Sequence, residues 1–289
     1  MIAFLLEPFA YDFMVRALVV TVLAAVVCAV LSCWLVLVGW SLMGDAVAHS
    51  VLPGVVLAYL IGAPFALGAV AFGGLAVALI GAVRGPRVRE DAAIGIVFTT
   101  LFALGLVLVS VTPSQVDLAH VVFGNVLGIS GSDLAQVGGI GALVLAVALT
   151  KRRDLTLSAF DPTHAHAVGL RPRRLAALLL GLLALTTVVA LQVVGVVLVV
   201  AMLVIPGATA RLLTDRFTVM LALAPAVAAL AAVVGIELAY HADWAPGATV
   251  VLVQGAGFAL AFLAAPRHGA IARLRARRSP TPTPSPPPG

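Results

Sequence analysis

Two side chains in this sequence have the types and spacing to hold a metal ion: Asp45 and His49, inside the run GWSLMGDAVAHSVLPG at 39–54. Four residues apart on an α-helix, they stand on one face, one turn from each other. A carboxylate oxygen beside an imidazole nitrogen suits a borderline divalent ion such as manganese, iron(II) or zinc. The flanking segments are apolar on both sides. A charged group at the centre of a bilayer costs roughly 2.5–3.5 kcal/mol, so an ionisable pair kept there points first to an ion pathway or a metal site. The plainer alternative is structural. Asp45 follows Gly44 and would cap a helix opening at Ala46, while His49 reaches to the membrane edge.

Other polar clusters carry weaker signals. Glu237, His241 and Asp243 fall near one end of an apolar run, where they could receive a metal or a delivery protein, or simply anchor the interface. The stretch DLTLSAFDPTHAHAVGL at 154–170 is the only sizeable polar insert. Asp161 followed by Pro162 is a helix start, an acid at the cap and proline at the first helical position. Gly169 closes that helix after about two turns. Such a short helix between spans is either a docking surface for a partner or an ordinary solvated loop, with His164 and His166 facing solvent rather than metal. Pro206-Gly207 reads as a hinge or kink, Gln192 and Asn125 as packing or loop residues. Cys28 and Cys33 lie five apart, off a common face, and read as small packing residues. The only lysine, Lys151, follows Thr150, so no phosphate-binding GxxxxGK[ST] loop is present, and no HExxH metalloprotease helix either.

The elements that position these residues are membrane helices. Of 289 residues, 62% are hydrophobic and 10% charged, against about 25% charged in soluble domains. The apolar runs are long and do not alternate, which excludes a β-barrel and predicts an all-α bundle of eight or nine spans. The runs lie at 17–38, 46–61, 65–83, 93–111, 134–149, 175–191, 193–213, 219–238 and 248–264. Pro53-Gly54 should break the second. The linker at 112–133 is too short and polar for a span and reads as an outer loop or re-entrant piece. Residues 1–266 thus form one membrane domain, and 267–289 a basic, then Pro-rich, disordered tail. Sixteen of the 17 lysines and arginines fall in four places, at 84–89, 151–174, 211–216 and in the tail. All four lie on one side of a nine-span chain, which the positive-inside rule assigns to the cytosol. That distribution accounts for the net charge of +5 without nucleic acid.

The residues also carry a resemblance. GWSLMGDAVAHSVLPGV at 39–55 resembles the signature of the metal ABC-3 permeases, the membrane subunits of bacterial manganese, zinc and iron-chelate importers. Similarity continues through REDAAIGIVF at 89–98, VVFGNVLGIS at 121–130, FDPTHAHAVGL at 160–170, LQVVGVVLVVAMLVIPGATARLL at 191–213 and YHADWAPGA at 240–248. It spans nearly everything except the tail. The opening LLEPFAYDFM and LSCWLVLVGWSLMGD most resemble the manganese/iron branch. The resemblance implies a multi-pass protein of the bacterial cytoplasmic membrane that works with a cytosolic ATPase subunit and an extracytoplasmic metal-binding protein. It implies that Asp45 and His49 meet the metal, which is cargo rather than a resident cofactor. It implies that the helix around Phe160, Asp161, Pro162, Ala165 and Gly169 couples to the ATPase. Two donors are few for manganese, which favours about six. A second permease copy or paralogue would bring four side chains to a shared axis, and waters or carbonyls near the broken helix would add more. Manganese is the first expectation for cargo, with iron(II) and zinc sharing the same donors. A gradient-driven secondary metal transporter is the alternative, and it has no need of the 160–170 helix.

Overall fold

The computed structural model describes residues 7–63, 65–112 and 128–265. Asp117, His120 and Asn125 in the linker, and the tail from 267 on, lie outside the described residues, as does the side chain of Gln192. Helices account for all the regular structure described, and no strand occurs among those residues.

The longest helix forms where the apolar sequence runs longest without a breaker. α1, Asp12–Val38, closes at Gly39, whose φ of +83° lets its own N–H turn back to the Leu35 carbonyl. After that turn come α2, Ser41–Ser50, and α3, Leu52–Leu60, separated at Val51. Pro53 lies at the start of α3 and has no N–H to donate to the His49 carbonyl, so the anticipated break occurs there. α4, Phe65–Val83, and α5, Glu90–Val111, follow. α6, Gly131–Thr150, opens on a reciprocal cap in which Ser130 and Asp133 each bond the other's backbone N–H. Two short helices come next, α7, Arg152–Phe160, and α8, Pro162–Ala167. The bundle is completed by α9, Pro172–Val194, α10, Val196–Leu213, α11, Phe217–Ala242, and α12, Pro246–Ala264.

Seven stretches among the described residues are long and apolar enough to cross a membrane: α1, α2 with α3, α5, α6, α9, α11 and α12. Shorter apolar stretches in α4 and α10 bring the elements in line with the nine runs read from the sequence. α1 is the central post, with α10 and α11 packed along it and α6, α7 and α9 also against it. Lipid tails are as apolar as leucine, so helices associate through close packing of small residues rather than through expulsion of water. The buried face of α1 carries Ala17, Ala24, Ala25, Cys28 and Ala29, and that of α11 carries Ala224, Ala228, Ala231, Ala232 and Gly235. Both cysteines are free and buried, as packing residues should be. At the crossing of α3 and α4, a Cβ on Gly54 or Gly68 would strike the other's carbonyl oxygen. The two backbones touch.

Two contacts fix which helix ends share a side. Near the end of α1, Trp34 Nε1–H donates to Thr156 Oγ1 of α7 at 3.1 Å, and its ring lies 5.4 Å from Phe217 at the start of α11. At the other end of the bundle, Tyr11 meets Tyr240, near the end of α11, with ring centroids 6.4 Å apart. Arg152, Arg153 and Arg216 therefore gather at the Trp34 end.

Three expectations need correction. Asp45 does not cap a helix opening at Ala46: α2 begins at Ser41, and Asp45 lies inside it. Gly44 had looked like a helix boundary, yet it is a contact point where a Cβ would sit 3.1 Å from Leu203 Cδ1 of α10. The first part of the polar insert is not loop but α7, held by Trp34 and by buried Leu155. Pro206 does not interrupt α10; the following amide, Gly207 N–H, donates to Ser32 Oγ of α1 at 3.0 Å, which makes this point a joint between the two helices.

Candidate functional site

The Asp45–His49 pair is built by α2 alone. A helical turn separates the two residues, and their side chains meet with Asp45 Oδ1 3.2 Å from His49 Nε2. Both are half-buried, at 36% and 27% exposure, so the pair is open at one side of the chain rather than sealed in its core. With metal–ligand bonds of about 2.1 Å, donors 3.2 Å apart subtend roughly 100° at a shared ion. That lies between octahedral and tetrahedral angles, so the two side chains can grip one cation with little movement. Among the described residues no third histidine, cysteine or carboxylate joins them. The described residues of one chain therefore offer two side-chain donors at this place. The helix breaks just after the pair, at Val51, and the His49 carbonyl loses its usual helical donor to proline at 53 and accepts the Val51 N–H instead.

α5 supplies a feature that sequence reasoning did not single out. The rings of Phe98 and Phe102 stack on each other at 6.1 Å, and the His49 ring lies 5.2 Å from the first and 5.1 Å from the second. The two phenylalanines repeat the four-residue spacing of Asp45 and His49, so each pair presents one face to the other helix. The imidazole is thus held between a carboxylate on its own helix and two aromatic rings from the next. Rings arranged in this way fix its orientation.

The other candidate residues fall into two separate places. Phe160 ends α7 and is 58% exposed. Asp161 caps α8, its Oδ1 accepting from the His164 N–H at 2.9 Å, with Pro162 at the first helical position. Ala165 is fully buried, while His164 and His166 are exposed. Gly169, at φ +87°, reverses the chain: its N–H returns to the His166 carbonyl and that of Leu170 to the Ala165 carbonyl, both at 3.0 Å. The capped two-turn helix read from the sequence is present.

Far along α11, Glu237 and His241 form a second acid–histidine pair, Oε2 to Nε2 3.7 Å, at 16% and 18% exposure. The helix continues past the anticipated end at 238 through Ala242. Asp243 is separate in role: it is the C-cap, in the left-handed region at φ +54°, and exposed.

Comparison with known proteins places this arrangement in context. Residues 10–265 match the ABC 3 transport family. The manganese transport system membrane protein MntB of Synechocystis is 50% identical over 276 residues, covering 95% of this chain and 90% of that protein. A probable iron transport system membrane protein of Haemophilus influenzae is 48% identical over 263 residues, covering 90% of this chain and 97% of that one. Among solved structures, PsaBC from Streptococcus pneumoniae in complex with Fab superposes with a TM-score of 0.87 at 35% identity, covering 96% of this chain and all of that one.

Proposed function

Because the chain belongs to the ABC 3 transport family, we propose that it is the membrane permease subunit of an importer that carries a divalent metal into the cytoplasm. Manganese is the first choice of cargo and iron(II) or zinc the others, in keeping with relatives described as manganese and iron transport proteins. The observation that carries the reading is the Asp45–His49 pair, set at a helix break, open to one side and angled to share one cation. Both side chains touch the ion as it passes. Two permease chains, identical or paralogous, bring two such pairs together, and carbonyls at the break complete a shell weak enough to release its ion.

The Trp34 end, where the arginines collect, faces the cytosol under the positive-inside rule. The engine is a separate ATPase chain, since this one has no phosphate-binding loop. It docks on α8 and its flanks, where Phe160 and Val168 expose 58% and 56% of their surface beside the buried Ala165. That exposed apolar surface at a cytosolic end favours an external engine over a gradient-driven transporter. On the opposite side a metal-binding protein delivers the cargo.

The test is manganese uptake in cells lacking their own importers, with the partner ATPase supplied. Wild-type chain restores uptake. Gly169→Pro puts a residue locked near φ −65° where the chain needs +87°. It is expected to leave insertion intact while abolishing copurification with the ATPase and stimulated hydrolysis. Unchanged copurification and hydrolysis would show that α8 is only a loop.

A further inference from the structure

The acid–histidine motif occurs twice. Glu237 and His241 repeat the four-residue spacing of Asp45 and His49, with carboxylate and imidazole again facing each other, here at 3.7 Å. Donors 3.7 Å apart and about 2.1 Å from a shared ion subtend roughly 120°, so this pair also fits one cation. Its surroundings are unusual for a salt bridge of convenience. The side chains are mostly buried, yet they lie along the face of α11 that carries the exposed Leu230, Val234 and Leu238. Ionisable groups on such a membrane face are costly, and that cost argues for a role.

Position adds to this. The Tyr11–Tyr240 contact puts the pair at the end of the bundle opposite Trp34. That end carries the exposed acids Glu7, Asp12 and Asp243, and Arg16 is the only arginine or lysine near it among the described residues. An acidic, base-poor end raises the local concentration of cations. We propose that Glu237 and His241 form a second divalent-cation site, at the outer end of the chain, that takes the ion before the Asp45–His49 pair does. This rests on reading the chain as a metal permease, and one experiment separates the two ideas.

Mn2+ alone is titrated into the full-length chain in lipid nanodiscs, with free ion counted by paramagnetic resonance. Asp45→Asn/His49→Ala is expected to keep a manganese site. Adding Glu237→Gln should weaken that residual site by at least about tenfold, since even second-shell changes cost 10–100-fold, and adding His241→Ala should remove it. Glu237→Gln preserves volume, so it decides the matter even if His241→Ala misfolds. Loss of all binding in Asp45→Asn/His49→Ala would overturn the outer site and leave the permease reading standing. Residual binding indifferent to Glu237→Gln would do the same. A wild-type chain that binds no manganese overturns the outer site outright, and absence of uptake as well would take the permease reading with it.

Discussion

Two helices carry the same chemical motif in opposite mechanical settings. Asp45 and His49 sit on ten-residue α2, which stops at Val51 because Pro53 follows. Glu237 and His241 sit in the last two turns of α11, whose 26 residues stay helical through Pro225, well before the pair. The first pair is closer, more exposed and gripped by two aromatic rings from another helix. The second is wider and more buried, and its histidine ring meets that of Tyr240, the residue just before it, at 5.2 Å. Helical spacing brings the donors face to face in both cases. What differs is the helix break beside the first pair and the rings that hold its imidazole, and under the proposed function these would make the first a point of passage and the second a point of arrival.

The largest effect should come from removing donors at the broken helix. Asp45→Asn keeps shape and loses charge, and His49→Ala loses the nitrogen; each is expected to reduce manganese uptake to background with normal membrane insertion. Asparagine caps helices as well as aspartate does, but Asp45 lies inside α2, so capping cannot mask the result. Near-normal uptake by both variants would remove the pair from the mechanism. A smaller effect should follow from making the first helix resemble the second. Pro53→Ala restores an amide able to bond the His49 carbonyl, healing the break. Uptake should fall several-fold with full expression; no change would mean that the break serves packing alone.

The smallest effect should come from loosening the clamp. Aromatic contacts are worth about 0.5–1.5 kcal/mol, so Phe98→Leu with Phe102→Leu should raise KM for manganese about two- to tenfold while leaving the maximal rate near wild type. Tyrosine at both positions should restore the wild-type KM. A fall in rate with KM unchanged would reduce the rings to packing.

The order of spans was legible because long apolar runs have few alternatives in a membrane. The break at Pro53 and the Asp161–Gly169 helix were legible because proline, a capping acid and a left-handed glycine act locally. What escaped notice depended on neighbours. Gly44 looks like a helix boundary in one dimension, and only the approach of Leu203 shows that it is a packing contact, where a Cβ would be crowded. α7 is hidden by its arginines, and its helix is secured by a hydrogen bond from Trp34, 122 residues earlier. Phe98 and Phe102 are lost in a helix that is apolar on every face. Glu237 and His241 were visible as residues, but their pairing required α11 to continue past 238.

Gly54 and Gly68 leave α3 and α4 with no layer of side chains between them at their crossing. A side-chain layer is what yields when packed helices slide, and here there is none. α3 and α4 are therefore expected to move as one plate. In the proposed permease, a cycle that alternates the exposure of Asp45 and His49 is expected to bend at Val51, between α2 and α3, where Pro53 supplies no N–H to the helical ladder. Spin labels at Leu57 and Leu67 would register this as a separation that holds constant through the cycle, while the separation from a label on Leu42 changes.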